Sequence, residues 1–266
     1  MRALRGGALI LAAFVATAAP EAPAAPTCLN TASEAAVVEA IDARAIRLDD
    51  GRVLRLAGIE PFSLLLDDAG DAEAALTQRL AALVGDATLR IQIAAKAPDR
   101  YGRLPALVAI GGALVQEMLA AEGLAIAFAN GDALPCFDRV LAAETEARSA
   151  GRGFWRGIAI PDARPEALQG RIGRFAIFEG TVLTAGTRPA TTYLDFGRRW
   201  SEDVTIEIAA KDRDAFGGEA ELEKLAGSRI RARGFLAEKS GPMLKLRSPA
   251  DLEIVAPRRV SDRIAP

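Results

Sequence analysis

Apolar and polar residues alternate through Ala45-Ile46-Arg47-Leu48 and again through Val53-Leu54-Arg55-Leu56, with the turn-forming "DDG" at 49–51 between them. Period-two alternation around such a turn predicts a β-hairpin. The preceding "AAVVEAIDAR" extends the same strand-like pattern. From Asp71 to Val84 the spacing changes. Ala74, Ala75, Leu76, Leu80, Leu83 and Val84 fit one face of a helix ended by Gly85. "ATLRIQIAAK" and "LPALVAI" predict two more strands, separated by "APDRYGR". "ALVQEMLAAEGLA" predicts a helix closed at Gly123, and "DRVLAAETEARSAGRGFW" a third ending near Gly151.

Residues 157–173 hold prolines and glycines without clear periodicity, and a linker is expected at 161–172. Beyond it, "RFAIFEGTVLTAG", "TTYLDFG" and "DVTIEIAA" predict strands, and "EAELEKLAG" a small helix. "SRIRARGFLAEKSGPMLKLRS" and "DLEIVA" predict the remaining strands. Five strands with a helix before the fourth fit a small closed OB-like barrel; a generic α+β module is the alternative. The expected fold is therefore mainly β with helices (α+β): one barrel with three helices, then a second, smaller barrel. The expected division is 1–24, a first domain at 25–160, the linker, a second domain at 173–257, and a tail at 258–266.

The N-terminus changes the picture. Arg2 and Arg5 precede an apolar run of about 14 residues, short for a bilayer span but suited to the core of a secretory signal. Small residues then allow cleavage after Ala18 or Ala24, and an uncleaved N-terminal anchor is the alternative. Export implies a periplasmic or secreted protein with no membrane span after signal removal. In such an oxidising setting Cys28 and Cys136, the only two cysteines, are expected to pair. Histidine is absent, which excludes His-containing triads and His-ligated zinc. The net charge of −2 gives no global attraction to nucleic acid, so any polyanion contact must be local.

Four motifs in order give the first part a family likeness. "RLAGIEP" at 55–61 is followed by "DRYGR" at 99–103, then by "EGLA" at 122–125 and "AETEARSAGRGFW" at 143–155. From Val37 to about Trp155 the chain resembles the thermonuclease (staphylococcal nuclease-like) family. The resemblance implies a five-stranded OB-type barrel with three helices and a calcium-dependent phosphodiesterase site. Calcium there is held by carboxylates, a further carboxylate serves as general base, and arginines neutralise the phosphate.

Position by position, the likeness is incomplete. The family's Asp-Gly-Asp-Thr falls on Asp42, Ala43, Arg44 and Ala45, so a cation stands where a metal-binding Asp is expected. Arg55 and Arg103 match the two phosphate-binding arginines. Glu60 replaces the second metal Asp and is the residual metal ligand. The general base falls on Ser63, or on Phe62 if one residue is deleted. Asp67 and Asp68 are candidate substitute ligands.

Two readings follow for this cluster. In one, Arg44, Arg55 and Arg103 form a metal-free anion pocket. In the other, Arg44 is a solvated strand residue, while Glu60 and Asp99 hold Arg55 and Arg103 in structural salt bridges.

The second module offers its own candidates. Tyr193 and Trp200 lie close in sequence to Arg198 and Arg199, and "SRIRARGF" places Arg229, Arg231 and Arg233 at alternate positions of a strand. Aromatics beside arginines on a small barrel suit single-stranded nucleic acid; the alternative is core aromatics and a solvated basic face. Tyr193, Arg198, Arg199, Trp200 and Arg231, with Arg44, are the expected substrate-binding residues. The expected function is binding of nucleic acid or another phosphate-bearing ligand with weak or no hydrolysis, without a cofactor. The alternatives are an active endonuclease, which would need calcium, and an envelope protein-interaction module.

Overall fold

The computed structural model describes residues 28–67, 70–85, 87–95, 97–199 and 202–258. The expected signal at 1–24, Trp200, Asp68 and the tail beyond Arg258 lie outside the described residues.

The first barrel is built from β1 (Ser33–Asp42), β2 (Ala45–Leu48) and β3 (Val53–Leu56), then β4 (Ile59–Pro61) and helix α1 (Gly70–Val84). There follow β5 (Thr88–Ile93), β6 (Leu104–Ile110), β7 (Ala113–Leu114), α2 (Val115–Ala121), β8 (Ala125–Ala127) and α3 (Phe137–Ser149). The sheet runs β3-β2-β1-β5-β6, and a parallel pairing of β3 with β6 closes it. Closure removes the unpaired edges that a small open sheet would expose. The predicted hairpin is β2–β3, and Gly51 makes its turn at φ +85°. In α1 the buried positions are Ala72, Leu76, Leu80 and Val84, four residues apart. Ala74, expected on that face, is exposed because the helix presents a narrower stripe to the barrel.

Gln116 on α2 is fully buried and knits this barrel from inside. Its amide nitrogen donates to the carbonyls of Ala57 (3.3 Å) and Ala106 (2.9 Å), while its oxygen accepts from the Val108 N–H (3.3 Å). Buried polar groups persist only when satisfied in this way. A disulfide joins Cys28 to Cys136, which precedes α3, across 108 residues of sequence with Cα atoms 5.5 Å apart.

The second module starts earlier than the periodicity showed. Residues 161–172, expected as a linker, contain the short helix α4 (Pro165–Leu168) and bury Ala163 and Leu168 in the second core. Its strands are β9 (Phe175–Thr181), β10 (Thr184–Thr187), β11 (Thr191–Asp195) and β12 (Thr205–Ala209). Helix α5 (Glu219–Glu223), β13 (Arg229–Glu238), β14 (Pro242–Leu246) and β15 (Leu252–Ala256) complete it. The order is β10-β11-β12-β14-β13, and β9 pairs with the far side of the path at β13. Because β9 continues through Val182-Leu183 into β10, the chain itself completes the ring. The parallel pair, here β12 with β14, falls at the same place in the order as β3 with β6. Both modules thus follow an OB-type order, the first as a closed five-stranded barrel and the second as a seven-stranded barrel-like sheet.

A third apolar cluster lies between them. Phe62, Leu65, Phe128 and Trp155 of the first unit pack with Phe175 and Ile177 of the second. Phe128, Phe175 and Phe235 meet edge to face, with centroids 4.9 to 6.3 Å apart. Beside this cluster the carboxylate of Asp251 accepts the backbone N–H of Ala129 (2.9 Å) and of Gly131 (3.1 Å). The two barrels are fused over a buried surface.

Candidate functional site

Three arginines distant in sequence converge on one side of the first barrel. Arg44 occupies the turn between β1 and β2, where its backbone N–H donates to the Asp42 carboxylate at 2.7 Å. Arg55 projects from β3 in the closing pair with β6. Arg103 precedes β6 and is placed by the "DRYGR" turn. There Asp99 accepts the backbone N–H of Tyr101 (2.9 Å) and of Arg103 (3.0 Å), with Gly102 at φ +77°. The same carboxylate accepts the Arg103 Nε–H at 2.9 Å, so one Asp both shapes the turn and aims the guanidinium.

Glu60 on β4 faces the cluster from the next segment. Arg44 Nη1 donates to its carboxylate, and Arg55 Nη1 stands 3.7 Å from the same oxygen. Arg55 Nε is also 4.0 Å from Asp99, and Arg103 Nη1 is 3.4 Å from Asp42. Burial pushes the Glu60 carboxyl up, against the pull of Arg44 and Arg55. Burial also lowers Arg44, Glu60 acts against it, and the neighbouring Arg55 and Arg103 lower it further. Both partners therefore report the same cost, that of holding charge in a partly dehydrated cleft.

The guanidinium of Arg55 differs from the other two. Its ion pairs, at 3.7 and 4.0 Å, are too long for hydrogen bonds, and among the described residues its side chain donates none. Its planar set of N–H groups is thus open to an added anion. Tyr101 is 66% exposed, with the guanidinium carbons of Arg100 and Arg103 at 4.8 and 5.0 Å from its ring centroid. Tyr101 is not among the residues expected at the site from the sequence. Its place inside "DRYGR" was the available signal, but exposure is a tertiary property.

The carboxylates that calcium needs do not assemble here. Arg44 already occupies Glu60, Asp42 is turned to Arg103, and among the described residues no group of three or more His, Cys, Asp or Glu side chains is placed to hold a metal. A hard divalent cation requires several oxygen donors, so this donor set does not fit calcium. Asp67, a candidate substitute ligand, is bound to Arg174 at 2.5 Å. At the general-base position Ser63 donates to Glu73 at 2.7 Å, and Phe62 is fully buried against Phe154 and Trp155. Glu73 does not stand out in the sequence, being one of two acids in the first turn of α1.

Among the described residues, the candidates of the second module (Tyr193, Arg198, Arg199 and Arg231) do not line one cleft. Tyr193 lines a surface cleft on β11 whose lining includes neither Arg198, Arg199 nor Arg231. Arg199 is exposed, with Glu202 at 3.6 Å. Arg229, Arg231 and Arg233 do share one face of β13, but that face is not open. Arg229 meets Asp162 and Glu179, Arg231 meets Glu179 and Glu253, and Arg233 is wholly buried against Glu144 and Glu253. Glu144 belongs to α3, so Arg233 joins the two barrels, while Arg229 and Arg231 are held by carboxylates of the second module.

Two of the motif segments explain each other. Gly123 and Gly153 approach so closely that a Cβ on Gly123 would lie 2.2 Å from the Arg152 carbonyl oxygen, and one on Gly153 would lie 2.4 Å from that of Gly123. The Phe154 N–H donates to Gly123 across this contact at 2.9 Å. "EGLA" and "GRGFW" are thus two halves of one backbone-on-backbone junction.

A comparison with curated proteins found no match to the chain. Residues 72–157 match the family described as "Staphylococcal nuclease homologue". The matched span holds Arg103 and the glycine junction, whereas Arg44, Arg55 and Glu60 precede it. With the closed barrel upstream, these findings show that the chain carries a thermonuclease-like domain, followed by a second β-barrel module.

Proposed function

We propose that the first barrel binds a phosphate-bearing ligand, nucleic acid foremost, with weak or absent hydrolysis. A domain of this family suggests a nucleic-acid-binding or nuclease-type function, and the site residues argue for the former. The observation that carries the reading is the convergence of Arg44, Arg55 and Arg103, with Arg55 free to donate. Arg44 on Glu60 takes over the electrostatic part of a bound cation, since a fixed guanidinium attracts phosphate without polarising a water. Neither Ser63 nor Phe62 supplies a general base. The exposed Tyr101 ring adds a stacking surface beside Arg103. Arg198 and Arg199 remain candidates for outer contacts with a long polyanion.

We place the protein outside the cytoplasm, in the periplasm or secreted. The Cys28–Cys136 disulfide and the signal-like pattern at 1–24 support this. A division into two units belongs to the same proposal; the two separate apolar cores support it, with Ala163 and Leu168 in the second core placing the boundary before 163 rather than at 173. Among the described residues no helix is long and apolar enough to cross a membrane.

Equilibrium titration with a 3′,5′-phosphorylated nucleotide, with and without calcium, tests the reading. Binding is expected without calcium, and log K for a single strand should fall with log salt by about 0.7 per phosphate contacted. Binding that requires calcium, or calcium-dependent DNA cleavage by the wild type, would overturn it. The double substitution Arg44→Asp with Ser63→Glu restores both carboxylates, and cleavage gained only there supports the assigned positions.

A further inference from the structure

The second barrel carries a surface cleft of about 370 Å³, within the range of small-ligand pockets. Its floor is the outward face of β11 and β12. Tyr193 lies opposite Glu207, and Asp195 opposite Thr205, while the intervening Leu194, Ile206 and Ile208 point into the core. Arg188, between β10 and β11, forms one rim with its guanidinium carbon 5.8 Å from the Tyr193 ring centroid. Lys239, between β13 and β14, forms the other rim and donates to Glu207 at 2.6 Å. Gly186 on β10 pairs with Tyr193, and a Cβ there would meet nothing within 4 Å, so the space beside the ring stays open.

Two cations and two carboxylates balance, so no net field favours a phosphate strand, and Asp195 and Glu207 on the floor would oppose one. The same groups, with Thr205 and Thr187, alternate acceptors and donors at close range. Hydroxyl groups, which both accept and donate, suit such a surface. An aromatic face suits the C–H face of a sugar ring, and Tyr193 and Met243 are the main apolar components.

We propose that this cleft is a saccharide-binding site that takes a short neutral oligosaccharide across Tyr193. Asp195 and Glu207 accept from its hydroxyls, and Arg188 and Lys239 donate to them. The site is separate from the phosphate site of the first barrel and does not rest on it.

Titration calorimetry of the full chain with chitotetraose, cellotetraose and maltotetraose, and with an octathymidylate strand as competitor class, tests the proposal. At least one tetrasaccharide should bind saturably and independently of salt. Affinity should fall at least tenfold in Tyr193→Ala and in Gly186→Leu. The latter fills the open space, so it keeps the proposal testable if the tyrosine variant folds poorly. Arg55→Ala should leave saccharide binding unchanged. The proposal is overturned if none of the three saccharides binds, or if binding survives Gly186→Leu. It is equally overturned if octathymidylate, with steep salt dependence, is the ligand that Gly186→Leu excludes.

Discussion

Arg44, Arg55 and Arg103 share one cleft but do different work. Arg44 is committed to Glu60 and Arg103 to Asp99, which leaves Arg55 as the donor for an added phosphate. Arg55→Ala should therefore weaken the 3′,5′-phosphorylated nucleotide at least tenfold, and a change of less than twofold by the same titration would remove Arg55 from the site. Elsewhere, burial pushes the Asp251 carboxyl up, against the pull of the Ala129 and Gly131 N–H groups. A folded state that holds a proton more tightly than the unfolded chain is favoured in acid. The Asp251 contribution is thus lost as pH rises from 3.8, its ordinary value, through its raised folded value. Asp67, Asp99 and Asp162 are shifted down, so their contribution is lost below that point instead. Subtracting the Asp251→Asn curve of unfolding free energy against pH from that of the wild type isolates the first effect. The difference should fall as pH rises above 3.8 and then level; a flat difference refutes the assignment.

Contacts between elements account for the family motifs better than any single side chain does. The α2 end and the turn after α3 touch through bare backbone at Gly123 and Gly153, both with positive φ. Gly123→Ala must push the Arg152 carbonyl away and strain its own backbone. A loss of about 3 kcal/mol or more in denaturant unfolding is expected. A loss under about 0.5 kcal/mol would show that the junction yields freely. The disulfide acts between elements as well, tying the start of the described chain to the N-terminus of α3. Removing both cysteines (Cys28→Ala with Cys136→Ala) should cost about 2–5 kcal/mol, mainly by freeing the unfolded chain, with nucleotide binding retained. Loss of binding without loss of stability would point to a role at the site.

Across the whole molecule, charges of alternating sign run from one barrel to the other. Arg148 and Glu144 on α3 lead to Arg233, Glu253, Arg231, Glu179, Arg229 and Asp162 in turn. Burial opposes the charge of Arg233, yet Glu144 and Glu253 more than offset this and keep it protonated. Such pairs give orientation more than net stability, but breaking one strands its partner. Arg233→Ala should cost about 3–5 kcal/mol, because Glu144 is then left buried without its partner. If the single variant unfolds like wild type by calorimetry, the ladder does not join the barrels.

Local rules read much of this architecture directly. The β2–β3 hairpin follows from "DDG", α1 from its four-residue spacing, and the second barrel from its run of short strands with a helix among them. Alternation likewise places Arg229, Arg231 and Arg233 on one face. These features depend on neighbours within a few positions, and the chain's own periodicity determines them. What that face meets is another matter. Glu144 lies 89 residues from Arg233, and no local pattern pairs them. The same holds for the engagement of Arg44 by Glu60, the opening beside Tyr193 and the folding of 161–172 onto the second core. Pairing over long sequence distances is set by how the closed barrels pack, because only packing decides which polar groups lose water and must find each other.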